Sequence, residues 1–204
     1  MNRLVAGCLL FAGVAVAASC NNASNDGPVA TDTASHTGGD TTHHMPAKDS
    51  VVAMVSHAEA AITATYADTA LTGTAVFDAD SAGKVTMKLE IAAAAKAGKS
   101  VAVHLHEHGD CSDNGKGAHG HWNPTGAEHG KWGTGSFHSG DIGNVKLDAK
   151  GKGSVTITTD LWTLGGAPSK NILGKAVIVH GGVDDYKTQP TGNAGSRIGC
   201  GVIK

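Results

Sequence analysis

Two histidines separated by a single residue, His104 and His106, lie in the six-residue segment Val-Ala-Val-His-Leu-His that starts at Val101. Apolar residues alternate with the histidines, which predicts a strand whose two imidazoles point to one face. Imidazoles placed side by side can bind one transition-metal ion. Cys111 follows five residues after His106, and further histidines come after it. We therefore predict that this strand forms one wall of a metal site.

Periodic apolar segments predict a series of short strands around this one. Apolar and polar residues alternate most clearly over 85–91, where Asp80-Ser-Ala-Gly83 supplies the preceding turn. Further strands are predicted near 62–66, 71–77, 145–148, 155–158, 176–180 and 198–203.

Two long segments, 107–142 and 181–197, have no sustained periodicity. Loops of that length in a compact domain are usually functional or disordered. The histidines of 107–142 indicate that a metal, rather than an apolar core, holds this loop in shape. The pattern predicts an all-β fold, an eight-stranded antiparallel Greek-key barrel or sandwich with two long functional loops.

The length of 204 residues fits one globular domain with extensions. We assign residues 1–19 to a signal peptide, 20–55 to a disordered polar linker and 56–204 to the globular domain. The formal net charge is −2, which gives no basic excess to attract nucleic acid.

The N-terminus has the features of an export signal, because Arg3 precedes an uncharged apolar segment over 4–18. Two endings fit this signal. Ala15-Val-Ala17 matches the cleavage site of ordinary signal peptidase, whereas Ala17-Ala-Ser-Cys20 resembles a bacterial lipobox that would make Cys20 the lipidated first residue. We expect an exported protein, either in the periplasm or anchored to a membrane of the cell envelope as a lipoprotein through Cys20.

The linker contains three histidines, His36, His43 and His44. They could capture metal loosely, as histidine-rich tails can. The alternative is a polar linker in which histidine has no role, and the sequence does not decide between the two.

Removal of the leader leaves Cys111 and Cys200 as the cysteines of the folded region. In an exported chain such a pair is expected to form a disulfide, with two free thiols as the alternative. Closing a loop of about 90 residues contributes about 4–5 kcal/mol in the chain-entropy model.

The chemistry-bearing motifs together resemble the copper/zinc superoxide dismutase family in its bacterial, exported form. The resemblance covers the chain from about residue 57 to the end, and the motifs agree in order and spacing. They are His104-Leu-His-Glu-His-Gly-Asp-Cys111, His121-Trp-Asn-Pro124, His129-Gly130, His138-Ser-Gly-Asp-Ile-Gly-Asn144, Val179-His180 and Gly192-Asn-Ala-Gly-Ser-Arg-Ile-Gly-Cys-Gly-Val-Ile203.

The resemblance implies two metal cofactors and their ligands. The implied copper ligands are His104, His106, His121 and His180. The implied zinc ligands, which share one histidine with copper, are His121, His129, His138 and Asp141.

The resemblance also assigns roles to residues beside the metals. Arg197 would guide and hold the superoxide anion, and His121 would join it as a catalytic residue that exchanges a proton. Asp184 would connect a copper-binding histidine to a zinc-binding one, with Asp185 as the alternative partner. Cys111 and Cys200 would form the disulfide of the family.

The implied function is antioxidant: two superoxide anions and two protons become dioxygen and hydrogen peroxide as copper cycles between Cu(II) and Cu(I), with zinc structural. A metal-storage module is one rival, and a zinc hydrolase is another. The hydrolase pattern H-x-H-x-D-H needs a histidine where Gly109 stands. The sequence is compatible with a monomer or a homodimer. It also does not identify which residues provide electrostatic steering in the short 181–197 loop.

Overall fold

The structure is a computed structural model that describes residues 52–204. It contains eight strands, in agreement with the predicted number. They are β1 (His57–Ala64), β2 (Thr72–Ala79), β3 (Val85–Ala92), β4 (Ser100–His106), β5 (Gly143–Lys146), β6 (Lys152–Thr159), β7 (Ala176–His180) and β8 (Arg197–Val202). Two 3-10 helices are formed by Ala94–Lys96 and Lys116–Ala118.

The predicted signal peptide over 1–19, the lipidation candidate Cys20 and the linker histidines His36, His43 and His44 lie outside the described residues. At the start of the described part, Val52 pairs with Gly166, and the amide of Val55 donates to the carbonyl of Leu164. Residues 52–55, at the end of the predicted linker, thus contact the loop that precedes β7. No helix within 52–204 is long and apolar enough to span a membrane.

The strands are hydrogen-bonded in the order β5-β4-β7-β8-β1-β2-β3-β6, and all pairs are antiparallel. Strands distant in sequence, β4 with β7 and β3 with β6, are therefore neighbours, as in a Greek key. The two ends of the order also meet, since a Cβ added to Gly153 in β6 would lie 2.6 Å from the carbonyl oxygen of Lys146 in β5. The sheet is a nearly closed barrel, which confirms the predicted all-β fold.

Alternation of apolar and polar residues builds the barrel interior. In β3, Val85, Met87, Leu89 and Ile91 are buried, while the residues between them face outward. At one end of the core, the Phe77 and Trp162 rings pack edge to face, with centroids 6.2 Å apart. Each fully buried large apolar side chain contributes about 1.5–3 kcal/mol.

Strand β4 differs because it is buried on both faces. Val101, Val103 and Leu105 belong to the barrel core, so the alternation of the strand sends His104 and His106 to the outer face. Both histidines are nevertheless fully buried, because the long loops cover that face. The loop 107–142 bonds directly to β4 beyond the first residue of β5: the Leu105 amide donates to the carbonyl of Gly140, and the Trp122 amide donates to the carbonyl of Leu105.

Candidate metal centre

Three parts of the chain converge on the outer face of β4: the strand itself, the loop 107–142, and β7 with the loop that follows it. Together they bury six imidazoles and two carboxylates, those of His104, His106, His121, His129, His138, His180, Asp141 and Asp184. All nine residues that the resemblance assigns to the metals, to their support or to the substrate lie in this region, with Arg197 at its edge.

The first group consists of four histidines whose ligand atoms lie within 4.8 Å of one another: His104, His106, His121 and His180. The Nε2 atoms of His106 and His180 are 3.3 Å apart. Nδ1 of His104 and Nε2 of His121 are buried but have no hydrogen-bond partner. An unsatisfied buried polar atom costs about 1–3 kcal/mol, which a bound ion would remove. Four imidazole nitrogens suit Cu(II).

The second group consists of three histidines and one carboxylate within the same limit: His121, His129, His138 and Asp141. Oδ1 of Asp141 lies 2.8 Å from Nδ1 of His121 and 3.1 Å from Nδ1 of His138. Its Oδ2 lies 3.0 Å from Nδ1 of His129, yet that nitrogen makes no hydrogen bond. Close approach without a hydrogen bond is expected of atoms that bind one shared ion. Three imidazoles and a carboxylate complete a tetrahedral zinc site.

His121 belongs to both groups. Its Nδ1 faces Asp141 in the second group, which leaves Nε2 for the first. One imidazole ring therefore lies between the two sets of ligands.

Asp184 connects the two groups from the other side. Its Oδ2 accepts a hydrogen bond of 2.9 Å from Nε2 of His104, and its Oδ1 accepts one of 2.9 Å from Nε2 of His129. With the proton fixed on Nε2, each ring presents a lone pair on Nδ1 to its metal group. The alternative partner, Asp185, is exposed and instead binds the amides of Lys187 and Thr188.

The surroundings set the charge of the ligands. Burial lowers the pKa of His121 to about 4 and that of His180 to about 3. Burial alone would raise the pKa of Asp141, but hydrogen bonds from His121 and His138 outweigh it and hold that pKa well below its usual range. His121 and His180 are thus neutral and Asp141 is ionised at neutral pH, as metal ligands must be.

Arg197 is held at the edge of the first group by the loop 107–142. Its Nη1 and Nη2 donate hydrogen bonds of 2.6 Å to the carbonyl oxygens of Gly115 and His119. The same His119 oxygen accepts a hydrogen bond of 2.8 Å from Nδ1 of His106. One carbonyl therefore positions both the guanidinium and a ligand of the first group.

The predicted disulfide is confirmed, with Cys111 and Cys200 joined and their Cα atoms 5.7 Å apart. It ties the loop that carries Gly115 and His119 to β8, the strand that begins with Arg197. The covalent bond therefore fixes the two parts of the chain that meet around the guanidinium.

Sequence reasoning assigned no role to two amide side chains that hold the loops. Asn144 donates to the carbonyl of Asp184 at 2.8 Å and accepts from its amide at 2.9 Å. Gln189 likewise makes two hydrogen bonds with the backbone of His129: it accepts from the amide at 2.8 Å and donates to the carbonyl at 2.9 Å. Asn144 ends the motif that starts at His138 but was given no role there, and no spacing distinguishes Gln189 from an ordinary polar loop residue.

Comparison with known proteins decides the family. The family model for copper/zinc superoxide dismutase matches residues 71–203. This chain belongs to the copper/zinc superoxide dismutase family. The two clusters are able to hold the copper and zinc ions after which the family is named.

Individual relatives agree with that assignment. Superoxide dismutase [Cu-Zn] 2 of Aquifex aeolicus is 41% identical over 108 residues, which cover 51% of this chain and 63% of the relative. Superoxide dismutase [Cu-Zn] of Podospora anserina is 35% identical over 153 residues, which cover 70% and 96%. The chain thus spans less than two thirds of the Aquifex relative and nearly all of the Podospora one.

A solved structure shares the fold of this family member. The crystal structure of the clock protein EA4 superimposes with a TM-score of 0.64 at 32% identity, covering 74% of this chain and 95% of that one.

Replacing Asp184 by Asn tests its connecting role. The amide keeps one acceptor oxygen, so at least one of the two histidines loses its orienting hydrogen bond. We expect metal affinity to fall about 10–100-fold, measured by competition with a chelator on the metal-loaded protein. Asp185→Asn is the matched control and should leave metal affinity unchanged. Equal affinities of the two variants would contradict the role given to Asp184.

Proposed function

We propose that this protein is a superoxide dismutase that converts two superoxide anions and two protons to dioxygen and hydrogen peroxide. The observation that carries the proposal is the buried ring of His121, which lies between four imidazoles suited to copper and a closed set of ligands suited to zinc. The family assignment supports the same reaction.

In this proposal the two metals share one ligand, His121. Copper is held by His104, His106, His121 and His180, and zinc by His121, His129, His138 and Asp141. When bound, copper supplies one-electron chemistry by alternating between Cu(II) and Cu(I), while the closed zinc site is structural. Asp184 keeps the rings of the two sites in a fixed orientation.

Arg197 binds the anionic substrate. A guanidinium stays charged at neutral pH, and its planar set of donors suits a small oxyanion. Two of its nitrogens are committed to carbonyl oxygens, so the head group is pre-positioned instead of mobile. The cation therefore attracts superoxide and orients it beside the first group of ligands.

His121 takes up and releases a proton. Its Nδ1 is engaged on the Asp141 side, so its Nε2 is the atom available to take up a proton and pass it to the reduced oxygen species. Burial lowers the pKa of this ring, which favours release of the proton to substrate over its retention.

Superoxide consumption by the full chain, loaded with copper and zinc, tests the proposal directly. We expect rapid loss of superoxide that stops when cyanide is added, since cyanide binds copper. The control contains denatured protein and the same amount of free copper. A folded, fully metallated protein no faster than free copper would overturn the proposal and favour metal storage or transfer.

Arg197→Ala should lower kcat/KM for superoxide by about tenfold or more, because electrostatic guidance of charged substrates contributes 10–10³-fold. The dependence of the rate on ionic strength should weaken in parallel. Lys88→Met removes one positive charge from the exposed side of β3 and is the matched control. A loss of the same size in both variants would assign the effect to net charge instead of to Arg197.

We also propose that the protein acts in the cell envelope. The uncharged segment 4–18 behind Arg3 supports export. The disulfide between Cys111 and Cys200 is consistent with an oxidising compartment.

Cell fractionation with a labelled fatty acid tests this location. Label that is lost in Cys20→Ser indicates membrane attachment through a lipid on Cys20. Unlabelled protein released with the periplasmic contents indicates a soluble exported form. Protein found only in the cytoplasm would contradict export.

A further inference from the structure

A third group of potential ligands lies on the surface outside the two buried clusters. It consists of Glu107, His108 and His119, whose ligand atoms are within 4.8 Å of one another. The imidazole rings of His108 and His119 have centroids 4.5 Å apart and are inclined by 71°. We propose that these three side chains form an additional, solvent-exposed binding site for a divalent transition-metal ion, with Cu(II) preferred.

The chemistry of the three groups favours such an ion. Two imidazole nitrogens and one carboxylate oxygen form a ligand set used for zinc, and exposure leaves positions for water. Copper(II) takes nitrogen and oxygen ligands in tetragonal geometry and binds them more tightly than other divalent ions of its series. Calcium and magnesium prefer sites made of oxygen alone, so a site with two imidazoles selects against them.

The backbone under the group is well anchored. His106 pairs with His121, the amide of Glu107 donates to Gly120 at 3.1 Å, and the amide of His108 donates to Ala118 at 3.2 Å. These bonds form a short antiparallel ladder that carries all three side chains.

The conformation of His119 supports a role for its side chain. Its φ of 61° and ψ of −141° lie close to a region that is populated essentially by glycine. A side chain there costs about 1–3 kcal/mol, and strain of this size is typical of functional positions. The carbonyl that binds Arg197 and His106 would be present with glycine as well. What the histidine adds is an imidazole beside His108.

The surface next to the group has room for the remaining ligands of the ion. Glu107 and His108 line a hollow of about 490 Å³ together with Trp122, Pro124 and Lys175. Water or a small anion can therefore complete the coordination.

Calorimetric titration with Cu(II) tests the site in the full chain after both buried sites are filled with copper and zinc. The linker histidines are removed as competitors in a His36→Asn, His43→Asn, His44→Asn background. We expect one further ion to bind in that background. His108→Asn should weaken binding of that ion at least about tenfold, since loss of even an outer-shell partner of a ligand typically lowers metal affinity about 10–100-fold.

His119→Gly provides a second variant that should fold readily, because glycine suits the backbone conformation there. This variant should lower the affinity for the additional Cu(II) ion to the same extent as His108→Asn. The matched control is His57→Asn, which removes an exposed histidine outside the site. Like the site histidines, His57 lies beside a carboxylate: its Nδ1 is 2.7 Å from Oδ1 of Asp78. An unchanged spectrum of the buried copper verifies the fold of each variant.

The proposal is overturned if no further ion binds in the background protein. It is also overturned if the two site variants bind copper as the background does, or if His57→Asn loses as much affinity as they do. Because the measured quantity is binding of an extra ion, a failure here is distinct from a failure of dismutase activity.

Discussion

Burying six imidazoles and two carboxylates in one place is the constraint on which the rest of this structure depends. Such groups cannot stay charged and unpaired away from water. Low pKa values keep His121 and His180 neutral, while hydrogen bonds keep Asp141 ionised. Three ring nitrogens still lack a hydrogen-bond partner. A bound metal ion would satisfy these nitrogens. In the proposed function, the ions therefore complete the packing of the loops.

The barrel and the loops divide this task. Strand β4 is the common wall, with apolar residues facing the barrel and His104 and His106 facing the loops. Asp184 reaches one ligand from β4 and one from the loop 107–142, and is itself held by Asn144. A displacement of either loop therefore changes the orientation of rings in both groups, which couples the two sites mechanically.

Apolar patterning in the sequence predicted the number of strands because each strand has one face in the barrel core, as β3 illustrates. The first strand was predicted near 62–66, whereas β1 spans His57–Ala64. The resemblance of the histidine motifs to the family implied the two ligand sets, and the structure brings those residues together in two clusters. Sequence could not predict the carbonyls of Gly115 and His119 that hold Arg197, because every residue has a carbonyl. Gln189 was missed for a related reason: its role depends on a contact with His129, 60 residues away.

The carbonyl oxygen of His119 shows why such backbone atoms matter. It accepts from both His106 and Arg197, so a proposed copper ligand and the cation proposed to bind substrate share one acceptor. Neither donor can shift without disturbing the other, so in the proposed enzyme this acceptor would fix Arg197 relative to His106. This acceptor survives any substitution of the His119 side chain. That side chain is therefore available for a second task on the outer surface, beside His108, while the carbonyl serves the buried centre.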